Sequence, residues 1–269
     1  MINHIKSRFG AFGVHFFASV SIFLVFFYFV FVWWYPDPYL TLEGGWFIVG
    51  MIVLVDVILG PTLTFIVFKP GKKGLALDLS LIAGIQICAL VYGVSVIYME
   101  RPQFLAFSVD RFVMVSQQDV EQNKFKYPQL LQDSRHGPLP VFARLPSDPI
   151  EKTRLMKEVL EGKPDLEFRA EYYEPMDQHL NDILSSSKPI DNYRKVSTAN
   201  QQKIDEFVKD NCGSKDNCAY FPVVGKDTNM MLVLRRDNGK VLGAIDIDPW
   251  TSFKKYKQAT GSRKAGKKG

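Results

Sequence analysis

From Phe9 to Pro36 the chain carries no Asp, Glu, Lys or Arg, and that run holds nine of its 21 Phe. At about 1.5 Å of rise per residue, a helix of this length exceeds a hydrocarbon core of about 30 Å. A second run from Gly45 or Trp46 to Phe68 is interrupted only by Asp56, and a third from Leu75 to Tyr98 has Asp78 near its start. The sequence therefore predicts three transmembrane helices, at about 11–35, 46–68 and 75–98. A cleavable signal peptide has an apolar region of about 7–15 residues and then a small-x-small site. Here the apolar run continues through Phe-Val-Phe-Val-Trp-Trp-Tyr, so the first helix is expected to be retained.

Composition follows the same division. The first 99 residues hold nine charged side chains and the remaining 170 hold 52. This excludes a single globular domain, a disordered chain and a fully embedded transporter. The tail from Trp250 carries seven Lys and Arg and no acid, and without it the formal charge of +5 falls to −2. Lys6 and Arg8 precede the first span, and Lys69, Lys72 and Lys73 lie between the second and third, whereas residues 36–45 carry no Lys or Arg. By the positive-inside rule, residues 1–10 and the Lys69–Gly74 loop are cytoplasmic, and residues 100–269 lie outside the cytoplasm. Trp33, Trp34, Tyr35, Tyr39, Trp46 and Tyr98 then form an aromatic belt at the outer face.

Polar groups inside the spans are the most informative residues. Asp56 and Gln86 both fall near mid-membrane and are within reach of a mutual hydrogen bond. An ionisable group at that depth costs on the order of several kcal/mol unless paired, protonated or hydrated. Two readings stand: a polar pair that holds a helical hairpin together, or a recognition site for another membrane helix. His15 and Asp78, both toward the cytoplasmic side, form a second candidate pair with the same two readings. Gly60-Pro61 removes a backbone hydrogen bond from the second helix and should kink it, leaving a freed carbonyl in need of a partner.

The outer half, 100–250, reads as an α+β domain with a mostly antiparallel sheet, large enough to fold alone. Phe104–Val115 reads as one strand, followed by turns at Pro128, Pro138, Pro140, Pro146 and Pro149. Helices are expected from Pro149 to about Glu161, stopped by Gly162, then over Pro175–Ser185 and Thr198–Asn211. Strands Ala219–Val224, Met230–Arg236 and Val241–Ile247 close the domain, the last two joined through Asp237-Asn238-Gly239. In an oxidising compartment Cys212 and Cys218 should form a local structural disulfide. Cys88, inside the third span, reads as an inert apolar residue.

Asp246-Ile247-Asp248 resembles the metal-holding acids of sugar-nucleotide transferases, but no glycine-rich phosphate loop precedes it, and strand termination before Pro249 explains it better. His136 and His179 have no metal-ligand spacing, and no nucleophile elbow or Ser-His-Asp pattern is present. The expectation is no enzyme, no metal and no cofactor. The basic tail, 251–269, is expected to be disordered, touching anionic lipid, cell-wall polymer or an acidic partner, or serving only solubility. Nucleic acid is excluded by compartment.

A resemblance joins these readings. Val55-Asp56-Val57, Leu59-Gly60-Pro61-Thr62-Leu63-Thr64 and Val67-Phe68-Lys69-Pro70-Gly71-Lys72-Lys73 carry it. It continues through Asp78-Leu79, Ile85-Gln86, Tyr92-Gly93, Arg101-Pro102 and Asp110-Arg111-Phe112. Over residues 35–115 the chain resembles the type IV pilin accessory proteins of the TfpX/TfpZ (FimB-like) group, and it is consistent with them in length and topology throughout. The resemblance implies a bacterial inner-membrane protein with a periplasmic domain, a chaperone-like or modulatory partner of a cognate major pilin and of other pilus assembly components. It carries over no catalytic residue. Combined with the residues, it gives the expectation that Asp56, Gly60, Pro61 and Gln86 hold a pilin helix in the bilayer while the outer domain contacts the pilin head. The competing classes are a membrane-anchored transferase acting on pilin or envelope glycan, and a periplasmic sensor. The sensor is disfavoured because the cytoplasmic segments are too short to hold an output domain.

Overall fold

The absence of charge from Phe9 to Pro36 leaves the backbone to satisfy itself, and in the computed structural model it does so as helix α1 (Ile2–Phe29), continued by a π-helical turn at Val30–Trp34. The structure describes residues 2–134, 137–251 and 254. His136, and the basic tail apart from Lys254, lie outside the described residues. The chain divides into two units: the residues up to Pro36 with Gly44–Arg101, and Asp37–Glu43 with the residues from Pro102 onward.

In the first unit, α3 (Gly45–Ile52) passes through a π segment (Val53–Leu59) into α4 (Gly60–Val67), and α5 (Leu75–Met99) follows. Ser7–Trp34, Gly45–Val67 and Leu75–Met99 are each long and apolar enough to cross a membrane. Large apolar side chains face outward along them, Phe17, Phe47, Leu77 and Tyr92 among them. The helices meet through polar and aromatic side chains. Tyr35 donates its hydroxyl to the Ile97 carbonyl at 3.0 Å, Phe9 meets Phe65 at 5.0 Å, and Trp34 meets Tyr98 edge-on at 5.1 Å.

The second unit is a seven-stranded sheet in the order β4-β3-β1-β2-β5-β6-β7. The strands are β1 (Pro102–Ser108), β2 (Arg111–Ser116), β3 (Leu139–Ala143), β4 (Tyr173–Pro175), β5 (Cys218–Val224), β6 (Asn229–Arg235) and β7 (Val241–Ile245). The sheet is mixed: β1 runs parallel to β3 and β2 parallel to β5, while the other four pairings are antiparallel. Both faces are covered. Leu105 and Phe107 of β1 enter one apolar cluster with Phe112, Phe221 and Leu232, while Phe104 and Ala106 enter another with Val113, Leu155 and Tyr173. That period of two on a doubly buried strand explains why Phe104–Val115 is apolar at nearly every position.

Several expected elements are redrawn. The single strand Phe104–Val115 is a hairpin, turning at Val109 with φ 58. The segment read as proline-rich turns contains the short helix α6 (Gln129–Asp133) and β3. The helix expected over Pro175–Ser185 is a short 3-10 turn (Met176–His179) followed by α8 (Leu180–Ser185). Helix α10 (Thr198–Phe207) passes into a π turn at Val208–Cys212, and a short α9 (Ile190–Arg194), absent from the sequence reading, precedes it. The helix α7 (Pro149–Leu160) appears as expected, its Asp148 side chain accepting from the Ile150 and Glu151 amides. The loop between the first two spans, read as part of the membrane domain, belongs to the sheet unit. Its short helix α2 (Tyr39–Leu42) buries Tyr39, Leu40 and Leu42.

Candidate functional site

Pro61 determines the geometry around Asp56. In the π segment each amide bonds five residues back, and the Gly60 amide donates to the Val55 carbonyl. The next amide in that register would serve the Asp56 carbonyl, but it belongs to Pro61, which has no N–H. Gln86 of α5 fills the vacancy, donating Nε2 to the Asp56 carbonyl at 3.1 Å. The approach requires glycine at position 60, where a Cβ would lie 1.9 Å from Gln86 Nε2. Asp56, Gly60, Pro61 and Gln86 are thus brought together, and all four are buried.

Asp56 and Gln86 do meet, and the hydrogen bond formed is to the Asp56 backbone carbonyl. Both Asp56 carboxylate oxygens and Gln86 Oε1 are buried without a hydrogen-bond partner, on residues each only 8% exposed. Asp56 lines two hollows among the helices. One, of about 180 Å³, is also lined by His15, Ser19, Ile52 and Gln86; the other, of about 290 Å³, by Phe47, Met51, Tyr92 and Gly93.

His15 and Asp78 do not pair with each other. His15 Nδ1 lies 2.6 Å from Thr64 Oγ1, a buried hydroxyl of α4 that the sequence reading missed. Thr64 sits one helical turn beyond Gly60, so its i+4 spacing on the same face was the available signal. Asp78 instead accepts from Lys72 at 2.5 Å, on the half-exposed Lys69–Gly74 loop. Lys69 contributes its carbonyl to the turn, accepting from the Lys72 amide at 3.1 Å. Lys73 is exposed on the same turn.

In the sheet unit, Cys212 and Cys218 form the expected disulfide. Asp246 and Asp248 are occupied separately: Asp246 accepts from Lys203 at 2.6 Å, and Asp248 caps the Trp250 and Thr251 amides at 2.9 and 3.3 Å. Among the described residues no group of three or more His, Cys, Asp or Glu is placed to hold a metal ion. His179 belongs to a buried polar knot that the sequence did not reveal. Glu174 accepts from Lys126 at 2.9 Å, Arg144 at 2.8 Å and His179 at 2.7 Å, and the His179 ring stacks on Phe142. Burial pushes the Glu174 pKa up, but hydrogen bonds from Lys126, Arg144 and His179 outweigh it and hold the carboxyl below its ordinary value.

The arrangement offers acceptors buried among apolar helices, which suits binding. A family model described as fimbrial assembly protein FimB matches residues 3–44. The fimbrial assembly proteins of serogroups I and E1 of Dichelobacter nodosus are 26% and 27% identical over 243 residues, covering 88% of this chain and 93% of each relative. The fimbrial assembly protein of serogroups C1 and C2 of the same organism is 36% identical over 110 residues, covering 40% of this chain and 84% of that relative. No solved structure matches. With the greater part of all three relatives covered, one of them above 30% identity, the chain belongs to the FimB family of fimbrial assembly proteins.

Proposed function

We propose that this protein is a non-catalytic accessory factor of type IV pilus assembly, seated in the bacterial inner membrane, which binds a pilin and supports its delivery to the surface. Its three apolar spans cross the bilayer with the N-terminus and the Lys69–Gly74 loop in the cytoplasm, and the sheet unit is periplasmic. Supporting that topology is the burial of Tyr39 and Leu42 in an apolar cluster with residues of the sheet unit. A loop between spans one and two can share a core with residues beyond span three only if both lie on one side of the membrane. The relatives named for fimbrial assembly support the process. The observation that carries the binding role is the Asp56 carboxylate, buried among apolar helices with neither oxygen engaged. Such a group in a helix bundle marks a place where another helix docks.

A pilin with an apolar helix in the bilayer and a head in the periplasm divides its surface as this chain does. Spans two and three, around Asp56, Gly60, Pro61 and Gln86, hold the pilin helix, and the sheet unit meets the head. Co-purification in mild detergent tests the reading, together with pilin abundance and surface piliation in a deletion strain. Pilin should appear among the bound proteins, and the deletion should lower surface piliation. No pilin in the complex and unchanged piliation would contradict it.

A further inference from the structure

We propose that the hollow at Asp56 recognises a primary ammonium group carried into the bilayer by the partner's apolar helix. The inference rests on the reading that a partner helix docks there. Asp56 is buried with no hydrogen-bond partner at either carboxylate oxygen, and Gln86, which directs one of its two amide N–H groups to the Asp56 carbonyl, presents an unpartnered Oε1. The surrounding hollow, about 180 Å³, is otherwise walled by Ile22, Phe23, Ile52 and Leu90. Its other polar lining groups are Ser19 and His15, and His15 already engages Thr64 through Nδ1.

The three unpartnered atoms of the site are all acceptors, two of them on a carboxylate. A partner bringing only methyl groups would leave all three stranded, and one bringing a carboxylate would set acceptor against acceptor. An ammonium supplies three N–H donors from a single compact atom and a charge of the opposite sign. A guanidinium has five donors in a wide planar fork, a poorer match to three acceptors in a small hollow. The ammonium can come from a lysine side chain or from the free amino terminus of a membrane helix.

Full-length protein in lipid nanodiscs, titrated with synthetic 22-residue Leu/Ala helices, separates these cases by energy transfer. One helix carries a mid-span Lys and an acetylated terminus, one a mid-span Met and a free terminus, and one a mid-span Met and an acetylated terminus. At least one amine-bearing helix should bind about tenfold tighter than the fully blocked one, and which does so identifies the source. Asp56→Asn, nearly isosteric and the variant expected to fold, should abolish the preference, and Asp56→Ala should do the same. Equal binding of all three helices, or a preference surviving both substitutions, overturns the inference. Pilin co-purification with the wild-type protein reports on the underlying reading separately. Pilin captured without amine preference removes the inference alone, and no pilin captured removes the reading and the inference with it.

Discussion

Gly60 and Gln86 occupy one space, and their coupling is measurable. A methyl at position 60 would fall inside the Gln86 amide. Gly60→Ala should therefore cost about 1–3 kcal/mol through displaced packing. Gln86→Ala should cost a similar amount by leaving the Asp56 carbonyl without a donor, on the order of 1–3 kcal/mol. The double variant should lose clearly less than the sum, because the steric conflict disappears with the Gln86 side chain. Unfolding in detergent, followed by tryptophan fluorescence, reads all three. Glu174 gives a pH signature. Its folded pKa lies below its unfolded value of about 4.3, so its stabilisation is fully present above that value and fades as pH falls through the lower, folded one. Glu174→Gln should destabilise the protein by about 1–2 kcal/mol at pH 7, since its Lys126 and Arg144 partners are about half exposed. The gap between wild type and variant should narrow in thermal melts below about pH 4.

At the scale of elements, α2 is tied to the turn between β5 and β6. The Leu42 carbonyl accepts from the Asp227 and Thr228 amides at 3.0 and 3.3 Å, and a Cβ on Gly225 would lie 2.2 Å from that oxygen. Leu42→Ala, at a fully buried site, should cost about 2–5 kcal/mol. The sheet unit expressed without residues 37–43 should bind a hydrophobic dye more strongly than the same unit supplied with a 37–43 peptide. Replacing Cys212 and Cys218 by serine opens a short loop, which should lower stability by about 2 kcal/mol in the chain-entropy account.

Elements with local punctuation were legible, and those defined by distant partners were not. Helix α7 has an Asp-Pro start and a Gly162 stop in its own sequence. Strand β3 contains Pro140, a turn residue by type, tolerated because β4 pairs only with Val141–Ala143 and leaves the proline's missing donor beyond its end. The β1–β2 turn was hidden because Val109, a β-branched residue, occupies the left-handed position where Gly or Asn is the usual signal. The candidate site was half legible. Asp56 and Gln86 stand out as polar residues in apolar spans, but the donor pattern between them depends on the π register that moves the freed carbonyl from residue 57 to 56.

The whole molecule is a set of apolar helices and a mixed sheet, and its proposed work depends on the two lying in different phases. A phosphatase fused after Lys72 should be inactive and one fused after Asp248 active, since the enzyme requires an oxidising compartment. Reversal of either would contradict the assigned orientation. The pilin-holding claim is tested most directly by photocrosslinking in cells, with a benzophenone amino acid at Ser19 or Ala83, both of which line the hollow at Asp56. A covalent adduct with pilin from at least one position, weakened by Asp56→Ala, is the predicted result; adducts lacking pilin from both positions, in cells that make both proteins, would contradict it.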